Sequence, residues 1–66
     1  MKVILNGKER EIPDELTVQG LLDHLSLNPR RVAVELNRAI VKRAQFNETQ
    51  LHANDSIEIL QFVGGG

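Results

Sequence analysis

Cysteine, tryptophan and tyrosine are absent from this 66-residue chain, and phenylalanine occurs only as Phe46 and Phe62. Without cysteine there is no disulfide, no pointer to secretion, no thiolate-rich zinc or iron–sulfur site and no sulfur nucleophile. Two phenylalanines do not make a stacking platform for nucleic-acid bases. Neither sign of charge dominates: 8 basic against 9 acidic residues leave a net charge of −1. Such a balance gives no general pull toward nucleic acid or an anionic membrane. No apolar run approaches the roughly 20 residues of a membrane span. The basic-then-apolar start, residues 1–5, is cut off by Asn6-Gly7-Lys8 too early for a signal peptide. The chain is therefore read as cytoplasmic. It has no internal repeat, no glycine-rich phosphate loop followed by lysine, and no metal-ligand spacing. His24 and His52 have no acid–base partners close in sequence and are read as surface histidines. Catalytic residues: none are visible, and the chain is short for enclosing a substrate pocket of ordinary size.

What is present is a regular alternation of short elements. Residues 2–6 carry the β-branched pair Val3-Ile4 and stop at Asn6-Gly7, the strongest short hairpin signal because both turn positions need positive φ. Residues 8–12 are the return strand, polar enough for a sheet edge, and Pro13 ends it. Thr17 is a predicted N-cap. Val18, Leu21, Leu22 and Leu25 follow at the i, i+3, i+4, i+7 spacing of one helical face. Gly20, inside that helix, costs about 1 kcal/mol relative to alanine and offers a close approach of the helix to a sheet. Asp14 and Glu15 are placed to complement the helix dipole, and Asn28-Pro29 to end the helix. Residues 31–37 alternate, with Val32, Val34 and Leu36 on one side and Ala33, Glu35 and Asn37 on the other, as a half-buried strand does. Asn37-Arg38 is a turn and Ala39-Ile40-Val41 its return strand. Residues 45–54 show little pattern, with Phe46 and Leu51 as core anchors. Asn54-Asp55-Ser56 is a turn, and residues 57–63 are the last strand. The order is ββαββ, loop, β: an α+β domain in which one amphipathic helix lies across one sheet.

This order and length resemble the ubiquitin-like, or β-grasp, family. The segment Val32-Ala33-Val34-Glu35-Leu36-Asn37 with Ile40-Val41 is similar to the ThiS sulfur carriers of thiamine biosynthesis. So are Leu5-Asn6-Gly7, the helix start Thr17-Val18 with Leu21-Leu22, and the ending Asp55-Ser56-Ile57-Glu58-Ile59 with Phe62-Val63-Gly64-Gly65-Gly66. The similarity covers essentially the whole chain, and the terminal glycines are its specific part. Gly20 and Arg38 depart from the pattern, and neither touches the tail. The resemblance implies a mixed sheet of about five strands, with residues 1–63 as the domain and 64–66 as a flexible tail.

Three glycines reach about 10 Å, at roughly 3.3 Å per residue, and can thread a channel that any side chain would block. The reactive group at their end is the carboxylate of Gly66, an anion at pH 7 and a poor electrophile. Attack on the α-phosphate of ATP would give an acyl-adenylate. Sulfide or a persulfide could then displace AMP and leave a thiocarboxylate. The chain carries no machinery for these steps, so partners must supply it. No cofactor is expected on the chain itself; ATP is used by a partner. The resemblance implies a ubiquitin-activating-like adenylating enzyme (ThiF-like), a cysteine desulfurase or other sulfur donor, and a thiazole synthase (ThiG-like). In this reading Gly66 is the modified residue, and Gly64 and Gly65 thread the partner's active site.

The last strand changes phase. If Ile57 and Ile59 point to the core, Leu60 and Phe62 lean out beside the tail as a docking patch; a bulge would instead return both to the core. The basic pairs Arg30-Arg31 and Lys42-Arg43 are read as a solvated face. A MoaD-like small subunit of molybdopterin synthase, a protein modifier and a plain interaction module are the competing readings. The first tends to be longer and to end in two glycines.

Overall fold

The computed structural model describes residues 1–62. Its order is β1 (Lys2–Leu5), β2 (Lys8–Glu11), α1 (Val18–His24), a 3-10 turn (Pro29–Arg31), β3 (Val32–Leu36), β4 (Ala39–Val41), a second 3-10 turn (Arg43–Gln45) and β5 (Ser56–Gln61). The five strands form one mixed sheet in the order β2-β1-β5-β3-β4. β5 is central, parallel to β1 and antiparallel to β3. The polar β2 lies at an edge, as its composition requires. No helix of the described residues is long and apolar enough to cross a membrane.

Both hairpins close through paired left-handed residues. Asn6 and Gly7 have φ of 50° and 82°, and Asn37 and Arg38 have 52° and 72°. Positive φ at two successive positions is the I′ geometry, whose twist matches that of the strands. Arg38 holds a conformation that ordinarily favours glycine or asparagine.

The helix begins at Thr17, whose hydroxyl accepts from the Gly20 N–H at 3.1 Å. The next free donors, Val18 and Gln19 N–H, are taken by the carbonyls of Thr49 and Phe46, each at 2.9 Å. Residues 45–54, patternless in sequence, are thus the segment that satisfies the helix N-terminus. A Cβ at Gly20 would meet Leu16 at 3.1 Å and Thr17 at 3.5 Å. The crowding comes from the capping turn, and the sheet is not what Gly20 approaches. Asp14 and Glu15 also differ from expectation: no acid lies in the first helical turn. Asp14 instead pairs with the Met1 ammonium at 2.9 Å.

The helix ends earlier than Asn28-Pro29. Ser26 turns left-handed, with φ of 58°. Its N–H donates to Asp23 O and that of Leu27 to Leu22 O, the bond pair of a Schellman motif with serine where glycine is usual. Asn28-Pro29 instead caps and starts the first 3-10 turn.

The core is Val3, Ile12, Val18, Leu21, Leu22, Val32, Val34, Phe46, Leu51 and Ile57. β3 alternates most cleanly, with Val32 and Val34 buried under the helix and Ala33 and Glu35 in solvent, and the first four residues of β5 follow the same two-residue period. Phe46 and Leu51 anchor the loop, as the sequence predicts, each 2% exposed.

Candidate functional site

β5 runs through the centre of the sheet and leads to the tail. Its register against β3 is unbroken, from Leu36 opposite Ile57 to Val32 opposite Gln61. There is no bulge, so strict alternation holds along the strand. Ile57 is fully buried, while Leu60 is 65% and Phe62 54% exposed. The phase change therefore lies in the side chains alone: the apolar residues switch face while the backbone keeps its path. Ile59 corrects the expectation in part. It is half-buried and packs against the core from its margin, because helix α1 ends before covering it. It lines an open cleft with Leu5, Leu25 and Leu27.

The two hairpin asparagines hold β5 from either side. Asn6 accepts from the Ile59 N–H at 2.8 Å and donates to the Ile59 carbonyl at 3.3 Å. Asn37 accepts from the Ser56 N–H at 2.9 Å and donates to Asp55 at 3.1 Å. A side chain thus continues the ladder where β1 turns away. On the β3 side, the Phe62 N–H donates to the Arg31 carbonyl at 2.8 Å, which fixes the strand up to the root of the tail.

The face opposite the helix carries Glu58 and Leu60 of β5, Ala33 and Glu35 of β3, and Ile40 of β4. All are exposed. Leu60 lies opposite Ala33 and Glu58 opposite Glu35, with Ile40 beyond Glu35. Together with Asn6, these side chains line a shallow depression of about 300 Å³. Ile40, at 77% the most exposed large apolar residue described, was not singled out from the sequence. The alternation in Ala39-Ile40-Val41 held the signal, once paired with the β3 register.

Arg43 stays solvent-exposed, as expected of the basic pair, but its guanidinium is not idle. It donates to the carbonyls of Pro29 and Arg30 at 3.1 and 3.4 Å, tying the two 3-10 turns together. Among the described residues no group of three or more histidine or acidic side chains could hold a metal ion. His24 and His52 are exposed, the latter 3.9 Å from Asp55. Gly64, Gly65 and Gly66, assigned the tail chemistry above, lie outside the described residues.

Comparison with known proteins is consistent with this architecture. The model of the ThiS family matches residues 3–66. A sulfur carrier protein ThiS of Bacillus subtilis is 41% identical over 63 residues, covering 94% of this chain and 96% of that protein. A thiazole synthase of Paramagnetospirillum magneticum is 39% identical over 66 residues. There the match covers the whole of this chain and only 20% of the relative, so this chain spans about a fifth of that protein's length. The crystal structure of a thiamine biosynthesis protein (ThiS) from Geobacter metallireducens superposes with a TM-score of 0.86, at 35% identity, with full coverage of both chains. The five-strand mixed sheet crossed by one helix is therefore a ubiquitin-like β-grasp, and the chain belongs to the ThiS family of sulfur carriers.

Proposed function

We propose that this protein carries sulfur on the carboxylate of Gly66 for thiazole formation in thiamine biosynthesis. The observation that carries the reading is the family match running through residue 66, together with a relative of nearly the same span that is a sulfur carrier. In this reading the β-grasp body, residues 1–63, is a handle and residues 64–66 are the working arm. An adenylating enzyme binds the handle through Leu60 and Phe62 and threads Gly64 and Gly65 toward its nucleotide site.

One Gly66 carboxylate oxygen attacks the α-phosphorus of ATP, the bond to the β-phosphate bridge breaks, and pyrophosphate leaves. Sulfide from a donor then adds to the acyl carbon and AMP departs with the carboxylate oxygen, leaving a thiocarboxylate. A persulfide donor, such as a cysteine desulfurase, forms an acyl disulfide instead, which a thiol reduces to the same product. The thiocarboxylate sulfur is the better nucleophile and passes to a thiazole synthase.

Incubation with an adenylating enzyme, ATP and a sulfur donor is expected to exchange one oxygen of the intact protein for one sulfur, read by mass spectrometry. Deleting Gly66, or adding a residue after it, should abolish that exchange and leave the melting temperature within about 4 °C, since surface changes away from packed contacts stay within about 0.5 kcal/mol, at about 4–8 °C per kcal/mol. An unchanged wild-type mass beside an enzyme active on its own carrier would overturn the reading, as would exchange in either tail variant.

A further inference from the structure

Glu35 and Glu58 stand directly opposite each other across β3 and β5. Like charges at facing positions, with Cβ atoms about 5 Å apart, destabilise a sheet. Neither carboxylate takes part in an ion pair among the described residues; the one lysine paired on this face, Lys2, is held by Glu9 at 3.6 Å. Both glutamates border the depression whose floor includes Ala33, Ile40 and Leu60. An acid pair that repels itself beside an exposed apolar floor breaks two rules of surface composition at one place, and such local violations concentrate where a partner binds.

The shape of the site selects the chemistry of what it meets. Two carboxylates alone fall short of a three-donor metal group. A planar guanidinium has five donors and can bridge two carboxylates, and its aliphatic stem lies favourably on apolar surface. We infer that the outer sheet face docks the adenylating enzyme through an arginine of that enzyme, which enters between Glu35 and Glu58 while its stem covers Leu60, Ala33 and Ile40. This rests on the carrier reading and names the chemistry of the surface that holds the carrier. The repulsion present in the free protein is relieved in the complex, so the pair costs folding and favours docking.

The test uses the full chain, a purified adenylating enzyme as probe, and the variants Glu35→Gln, Glu58→Gln and Glu48→Gln, the last an exposed acid in the helix-capping loop. Dissociation constants are measured at low and high salt, with thermal melting and the mass-based sulfur exchange in parallel. Expected are midpoints at or above wild type for Glu35→Gln and Glu58→Gln, an affinity loss of about tenfold or more at low salt, and a flatter salt dependence; Glu48→Gln should bind within twofold of wild type. Wild-type affinity in both glutamate variants, with sulfur exchange intact, would overturn the inference and leave the carrier reading standing. Lowered midpoints in both would also overturn it, because the pair would then be stabilising the fold. A loss equal in Glu48→Gln would reduce the effect to net charge and overturn the site. Failure of wild type to exchange sulfur would remove the carrier reading and this inference with it.

Discussion

Ile57 on β5 and Phe62 just beyond its end show how far one side chain's fate depends on which face of the sheet it occupies. Ile57 is fully buried, in contact with the main core. Truncating a buried isoleucine to alanine costs about 2–5 kcal/mol. Ile57→Ala is expected to lower the melting temperature by roughly 8 °C or more, at about 4–8 °C per kcal/mol for a domain this small. Phe62 is 54% exposed, so Phe62→Ala should cost less than about 1 kcal/mol of stability. It should nevertheless weaken binding to the adenylating enzyme, by about 2 kcal/mol if Phe62 is an interface hot spot. Comparable unfolding of the two variants would place Phe62 in the core and remove it from docking. The faces of Ile57, Leu60 and Phe62 could be read from their spacing. The partial exposure of Ile59 could not, because it depends on where α1 stops.

Among the elements, the least regular stretches do specific structural work. The hairpin turn at Asn6 is visible as Asn-Gly, but the side chain's grip on Ile59 joins residues 53 apart in sequence. Asn6→Gly separates these two roles. Glycine adopts the same positive φ without strain, so any loss reports the two side-chain hydrogen bonds. A destabilisation of about 1–2 kcal/mol is expected in chemical denaturation, at roughly 1 kcal/mol for each net hydrogen bond. Unchanged stability would mean that the β5 ladder holds without the clamp. The loop of residues 45–54 gives the complementary lesson. Its order lies in carbonyls aimed at the helix N-terminus, and backbone carbonyls have no signature in side-chain pattern.

Over the molecule as a whole, the chain start is tied back to the segment between sheet and helix. The Met1 ammonium bonds to Asp14 at 2.9 Å and stands 3.5 Å from Glu11. Its pKa is raised above the usual value near 8, chiefly by the hydrogen bond to Asp14, with desolvation opposing and the charges of Asp14 and Glu11 adding to the rise. A group whose folded pKa is raised gives stability that is complete below its unfolded pKa and is lost as pH rises through the folded one. The melting temperature of the 66-residue chain should therefore decline slightly from pH 7 to pH 10. Asp14→Asn should reduce that decline; an equal decline in the variant would show that the clip contributes nothing.

The sequence by itself determined the element order, the hairpin turns, the helix cap, the buried stripe and the glycine ending, because these are local: periodicity, turn conformation and capping act over a few residues. Only the tertiary structure decided the central place of β5 and the clamps on it, the helix-capping work of the long loop, the pairing of Met1 with Asp14, and the apolar face flanked by Glu35 and Glu58. Each joins residues far apart in the chain. Sequence pattern says which face a side chain takes, but which strands become neighbours is settled by packing one helix against one sheet, and that choice alone set the two glutamates opposite each other beside Leu60.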